Sequence, residues 1–145
     1  MSLAMSREER QAFLAGLHVG VVSVADGGRR APLTVPIWYR YEPGSAVTFV
    51  SGGTSRKVQR MRETGRFSLC VQAEDPPYKY VTVEGPVVAI DPLDEEERRS
   101  IARRYLGPEA GDAYIVATAG EVEGYVVVRM RPEHWLSADY GKLSL

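Results

Sequence analysis

The chain carries one cysteine and two histidines in 145 residues, and each scarcity removes a class of explanation. A lone Cys70 excludes an intrachain disulfide, and within an apolar strand pattern it reads as a small buried hydrophobe rather than a nucleophile. So few soft ligands leave no metal site to assemble. No Ser-His-Asp, Cys-His or paired-carboxylate arrangement is readable either, so no catalytic residue can be named. Charge of neither sign dominates: 18 Lys and Arg stand against 19 Asp and Glu, a formal net charge of −1. That balance gives no electrostatic case for nucleic acid or an anionic membrane. No apolar run approaches the ~20 residues of a membrane span, and the N-terminus lacks a signal-peptide pattern. Repeats and low-complexity segments are missing. The expectation is one cytoplasmic domain over residues 1–145, with 1–5 disordered or a tag remnant ahead of Met5.

What is present is a succession of short apolar segments punctuated by glycine and proline. Ser6 and Glu9 stand in capping-box spacing before an amphipathic helix reaching Gly16. His18 to Ala25 reads as a strand, and Asp26-Gly27-Gly28 as the turn of a hairpin. Ala31 to Tyr41 is a second strand in which Pro32 and Pro36 donate no ladder hydrogen bonds. It is therefore an edge, a bulge, or a strand laid open to a ligand. Ala46 to Val50, Arg66 to Ala73 and Tyr78 to Ile90 supply three more strands, the last bent at Gly85-Pro86. Asp94 caps a helix to about Tyr105, acidic at its start and basic at its end, as the dipole favours. A shorter helix spans Glu109 to Thr118, and a sixth strand runs from Gly124 past Pro132 to Trp135. The tail from Ser137 reads as loop, although Trp135, Tyr140 and Lys142 are types that line pockets. Mostly antiparallel strands with a bend in the longest predict a mainly β, α+β fold: a six-stranded antiparallel split barrel with flanking helices.

The chemistry concentrates at Ser51-Gly52-Gly53-Thr54-Ser55-Arg56-Lys57, where a strand passes into a helix. The glycines allow a tight turn, and Thr54 or Ser55 caps the helix over Arg56 to Glu63. Free amides, the positive helix end, hydroxyls and two cations then meet at one point, which describes a cradle for phosphate. It is not a P-loop, since the lysine spacing differs.

Taken in order, Pro36-Ile37-Trp38-Tyr39, Phe49-Val50-Ser51 with Ser55-Arg56-Lys57, Arg66-Phe67-Ser68-Leu69 and Tyr80-Val81-Thr82-Val83-Glu84-Gly85 resemble the pyridoxamine 5′-phosphate oxidase-like split β-barrels. The resemblance implies a flavin-type cofactor, FMN or the deazaflavin coenzyme F-420, held at the interface of a homodimer. By position it implies that Arg56 and Lys57 grip the cofactor phosphate beside Ser51 and Ser55. The strand Thr34, Pro36, Ile37 and Trp38, with Val50 alongside, would lie against the ring, and Tyr80 would reach it from the other subunit. It implies an oxidoreductase moving a hydride between the cofactor and a small organic substrate, or else a non-catalytic flavin or haem carrier. Neither nucleic acid nor membrane is an expected partner. The chain lacks a clear Arg-x-His substrate motif near its end, and Arg131 to Trp135 only distorts one, so vitamin B6 oxidation is not expected. Glu84-Gly85 and the ending His134 to Tyr140 look closer to the deazaflavin branch.

Overall fold

A computed structural model describes residues 2–143 of the chain. Eleven regular elements follow in order: α1 (Arg7–Ala15), β1 (Gly20–Val24), β2 (Leu33–Ile37), β3 (Val47–Gly52), α2 (Arg56–Thr64), β4 (Arg66–Ala73), β5 (Lys79–Pro92), α3 (Glu95–Leu106), α4 (Pro108–Ala117), β6 (Tyr125–Met130) and β7 (His134–Asp139). Single 3-10 turns cover Ala119–Glu121 and Tyr140–Lys142. Every strand pairing is antiparallel. Six strands follow one path, β2-β1-β4-β5-β6-β3, and β7 pairs off it with β5. The path is closed where Arg40 and Thr48 exchange backbone hydrogen bonds of 2.8 and 2.9 Å, which joins the chain just after β2 to β3. This is the expected antiparallel split barrel with flanking helices.

The split lies in β5. Its first half pairs with β4 and β7 and its second half with β6, with a register shift between Val87 and Ala89. The predicted sixth strand runs along β5 but breaks at Pro132, which has no N–H to donate, so it becomes β6 and β7. Arg131 N–H donates to the Pro86 carbonyl (3.0 Å) and Glu133 N–H to Glu84 (2.9 Å), holding the break against the bend in β5. The tail is accordingly strand as far as Asp139 rather than loop, and Ser144 and Leu145 lie outside the described residues. Gly85 and Pro86 pair in regular register with Phe67 and Arg66, so the expected irregularity falls just beyond them, between Val87 and Ala89. A Cβ on Gly85 would fall 1.8 Å from the Arg131 carbonyl oxygen, so only glycine fits.

Alternation sorts the side chains. Val22 and Val24, Phe67, Leu69 and Val71, Val81 and Val83 point inward with Phe49, Val128 and Met130 to form the core. Cys70, expected in that core, faces outward from β4 and is half-buried, because its neighbours Leu69 and Val71 take the inward positions. Leu14 from α1, and Val58 and Met61 from α2, are fully buried against the barrel; each such side chain is worth about 2 kcal/mol on burial. Ser6 and Glu9 form the predicted capping box, at 3.1 and 2.8 Å. Ahead of it, Leu3 accepts a hydrogen bond from Asp139 N–H (2.8 Å), Met5 N–H donates to Ser137 Oγ (3.0 Å), and Met5 is buried in the core.

α3 is fastened to the barrel by charge as well as by packing. The buried Glu97 carboxylate accepts two 2.8 Å bonds from Arg40 and one of 3.1 Å from Arg129. The Arg40 guanidinium, and then Arg129, hold this carboxyl below its usual 4.5 against the opposing effect of burial. A depressed folded pKa gives stability that is full above 4.5 and is lost as pH falls through the lower folded value. Glu97→Gln should therefore flatten the acid limb of a stability-against-pH curve from urea melts, and an unchanged limb would remove Glu97 from the account. Among the described residues no helix is long and apolar enough to cross a membrane, and no group of three His, Cys, Asp or Glu side chains could hold a metal ion.

Candidate functional site

A cleft of about 530 Å³ opens between the ends of β2 and β3, the start of α2, and the α3–α4 excursion. That size suits a cofactor or a drug-sized ligand. Its floor is Pro36, Ile37 and Trp38 from β2 and the residues just after it, with Val50, Ser51 and Gly52 from β3. The Trp38 ring is held in place by Tyr105, which stacks on it at 5.0 Å and 7°. The Tyr105 hydroxyl donates to the His18 carbonyl (2.6 Å) and accepts from Tyr39 N–H (3.0 Å). Tyr114 from α4 stands tilted beside Trp38 at 5.5 Å and 53°. A planar guest thus meets aromatic surface already fixed in place.

The predicted cradle forms at one end of the cleft. Ser55 caps α2, its Oγ accepting from Val58 N–H at 3.4 Å, and lies 3.2 Å from Ser51 Oγ. Gly53 packs backbone to backbone on Gly124, with a 3.0 Å hydrogen bond, and a Cβ there would fall 2.5 Å from the Gly124 oxygen. Lys57 lines the cleft from the first turn of α2, half-buried, and burial alone lowers its pKa from the usual lysine value. Among the described residues no carboxylate lies within ion-pair distance of it. A desolvated ammonium without a counter-charge is costly unless an anion completes it.

Arg56 departs from expectation. Its guanidinium makes a fork with Asp26, Nε to Oδ1 at 3.1 Å and Nη2 to Oδ2 at 2.8 Å, and Arg60 stands 3.0 Å from the same carboxylate. Asp26 is buried between them, and Arg56 above all holds its carboxyl below the usual aspartate range. The side chain expected on the phosphate therefore ties the β1–β2 turn to α2 and does not line the cleft. Thr34 and Tyr80 also stay out of it: both lie on the outward face of the sheet. The structure does gather Pro36, Ile37, Trp38, Val50, Ser51, Ser55 and Lys57 around one space. Trp135, Tyr140 and Lys142 do not join them; Trp135 packs edge-on to Tyr41, and Lys142 pairs with Glu9.

Sequence reasoning missed the far wall: Arg98, Ile101 and Ala102 of α3, Tyr114 and Thr118, then Glu121, Val122 and Tyr125. One signal was available. Residues 98, 101, 102 and 105 share a helix stripe at i, i+3, i+4 and i+7 spacing, so an arginine there belongs to the apolar face of α3 rather than to its solvated side.

A family model described as pyridoxamine 5′-phosphate oxidase matches residues 6–138. The chain belongs to the pyridoxamine 5′-phosphate oxidase family. Structures similar to this member of the family include a conserved hypothetical protein from Mycobacterium tuberculosis, 21% identical with a TM-score of 0.77 over 99% of this chain and 92% of that one. An F-420 reductase is 19% identical at a TM-score of 0.65 over 87% and 94%. A FAD-binding protein from Mesorhizobium loti is 19% identical at 0.60 over 92% of each chain. At these identities the likeness establishes the split-barrel fold. No curated protein matches the chain.

Proposed function

We propose that this member of the family is a flavin- or deazaflavin-dependent oxidoreductase, with FMN or coenzyme F-420 in the 530 Å³ cleft. The observation that carries the reading is Lys57: a half-buried ammonium with no acidic partner among the described residues, beside two cradle hydroxyls and a helix start. Phosphate supplies the charge this corner lacks. The residues fit the rest of such a cofactor as well, since Pro36 and Trp38 border the cleft and the Trp38 ring is held by its contacts with Tyr105 and Tyr114. When bound, a flavin-type ring carries a hydride between a reductant and an organic acceptor, and the protein supplies grip, orientation and exclusion of water. Lys57, Ser51 and Ser55 would hold the phosphate, and Trp38 and Val50 would set the plane of the ring.

The reading includes a homodimer. Val21, Cys70, Thr82 and Leu136 lie in one row across the outward face of β1, β4, β5 and β7. Val19, Val21 and Leu136 on that face are 56%, 37% and 62% exposed, an apolar cover suited to a second copy. Tyr80, on the same face, would then point toward a partner's cleft rather than its own. A non-catalytic carrier would use every one of these contacts, so turnover decides. Protein loaded with FMN or F-420 and reduced under anaerobic conditions should be reoxidised by an added quinone such as menadione with saturation in the acceptor. A reduced cofactor that stays bound and unreactive toward every acceptor would reassign the protein to carriage.

A further inference from the structure

Besides Lys57, the cleft contains a second cation under different constraints. Arg98 on α3 is 94% buried, the complement of its 6% exposure, and lines the cleft together with Trp38 and Tyr114. Its Nη1 donates to Thr118 Oγ1 (2.8 Å) and its Nη2 to the Ile115 carbonyl (3.3 Å). Nε donates to Glu95 Oε2 at 3.3 Å, and that carboxylate is 54% exposed, so solvent screens the pair. A guanidinium has five N–H donors in a rigid fork. The structure engages three, leaving one on each terminal nitrogen of a buried arginine beside the cleft. Only a partly screened carboxylate compensates its charge, whereas buried cations are normally matched fully.

Resting on the flavin reading, which assigns the cradle end to the cofactor, we infer that Arg98 is a substrate-binding residue and that the substrate is a planar carboxylate. Its carboxylate takes the free N–H pair of Arg98, and its ring lies beside Tyr114, next to the cofactor ring whose plane Trp38 and Val50 set. Arginine suits this role because its fork matches a carboxylate in two places, which the point charge of a lysine does not. The adjoining wall supplies apolar contact from Ile101, Ala102 and Val122, and Glu121 is the single carboxylate among the lining residues.

Benzoate is the probe, with benzamide as its uncharged counterpart, each followed by tryptophan fluorescence on the protein as purified and by flavin absorbance after loading with FMN. Wild type should bind benzoate at least tenfold more tightly than benzamide. Arg98→Gln should abolish that preference while the affinity for FMN stays within about twofold. Arg98→Lys, the milder variant should the first fail to fold, should keep part of it. Arg103→Gln separates the alternatives: it removes the fork with Asp112 that also pins α4 to α3 but stands outside the cleft, so it should bind benzoate as wild type does. Equal binding of benzoate and benzamide, unchanged preference in both Arg98 variants, or loss of preference in Arg103→Gln would overturn the assignment. Arg98-dependent benzoate binding without any uptake of FMN or F-420 would sink the flavin reading and leave the carboxylate site standing.

Discussion

Lys57→Ala should weaken binding of FMN or F-420 by roughly 10- to 100-fold, the effect of removing a hydrogen bond to a charged group. The melting temperature should hardly move, because Lys57 has no ion-pair partner to lose among the described residues and is partly desolvated in the free protein. Arg56→Ala should behave differently. Arg56 is turned onto Asp26 and stands outside the cleft, so its loss should change cofactor affinity by no more than about threefold. It should loosen the β1–β2 turn instead, although Arg60 remains against Asp26. Calorimetric titration of both single variants, each paired with a thermal melt, checks the contrast. Equal losses of affinity would mean that Arg56 leaves Asp26 for the ligand, and the cradle would then have two cations rather than one.

Gly85→Ala should be the most damaging single-methyl change in the described chain. The added carbon would sit 1.8 Å from the Arg131 carbonyl oxygen, a backbone atom fixed by the 3.0 Å bond from Arg131 N–H to Pro86. No side-chain rotation relieves such an overlap, so β5 and the β6–β7 break must separate at the point where the barrel splits. A loss of about 4 kcal/mol or more follows, in the range reserved for strain or rupture at a special backbone position. For a domain of this size that is a fall of about 10 °C or more in melting temperature. Gly28→Ala is the control: a Cβ there meets nothing within 4 Å, although its φ of +53° carries a modest cost of its own. Comparable melting temperatures for the two variants would contradict the close approach.

What was legible in the sequence was local. Ser6 with Glu9, Ser55 ahead of α2 and Asp94 ahead of α3 each act through neighbours a few residues away, and each is found in the predicted role. The irregularity expected at Gly85-Pro86 falls just beyond it, between Val87 and Ala89. The errors came from distance. Arg56 looked free because its partner Asp26 lies thirty residues earlier, in a stretch that spells only a turn. Cys70 looked buried because apolar neighbours on both sides disguise a strict alternation. The charges at the two ends of α3 match the helix dipole, and that pattern alone assigns no role to Arg98 in between. It faces inward only because α4 folds back and offers Thr118 and the Ile115 carbonyl. The cleft floor was readable from β2 and β3; its far wall depends on that return of α4, which no spacing along the chain records.

The most direct test of the central claim is a cofactor titration of the purified protein followed by visible absorbance and fluorescence, with FMN and F-420 in parallel against riboflavin. The cradle predicts saturable uptake of at least one phosphorylated cofactor, with riboflavin, which lacks the phosphate, bound at least tenfold more weakly and Lys57→Ala erasing the difference. Failure to bind either phosphorylated cofactor, or equal binding of FMN and riboflavin, would contradict the assignment of Ser51, Ser55 and Lys57 as a phosphate site.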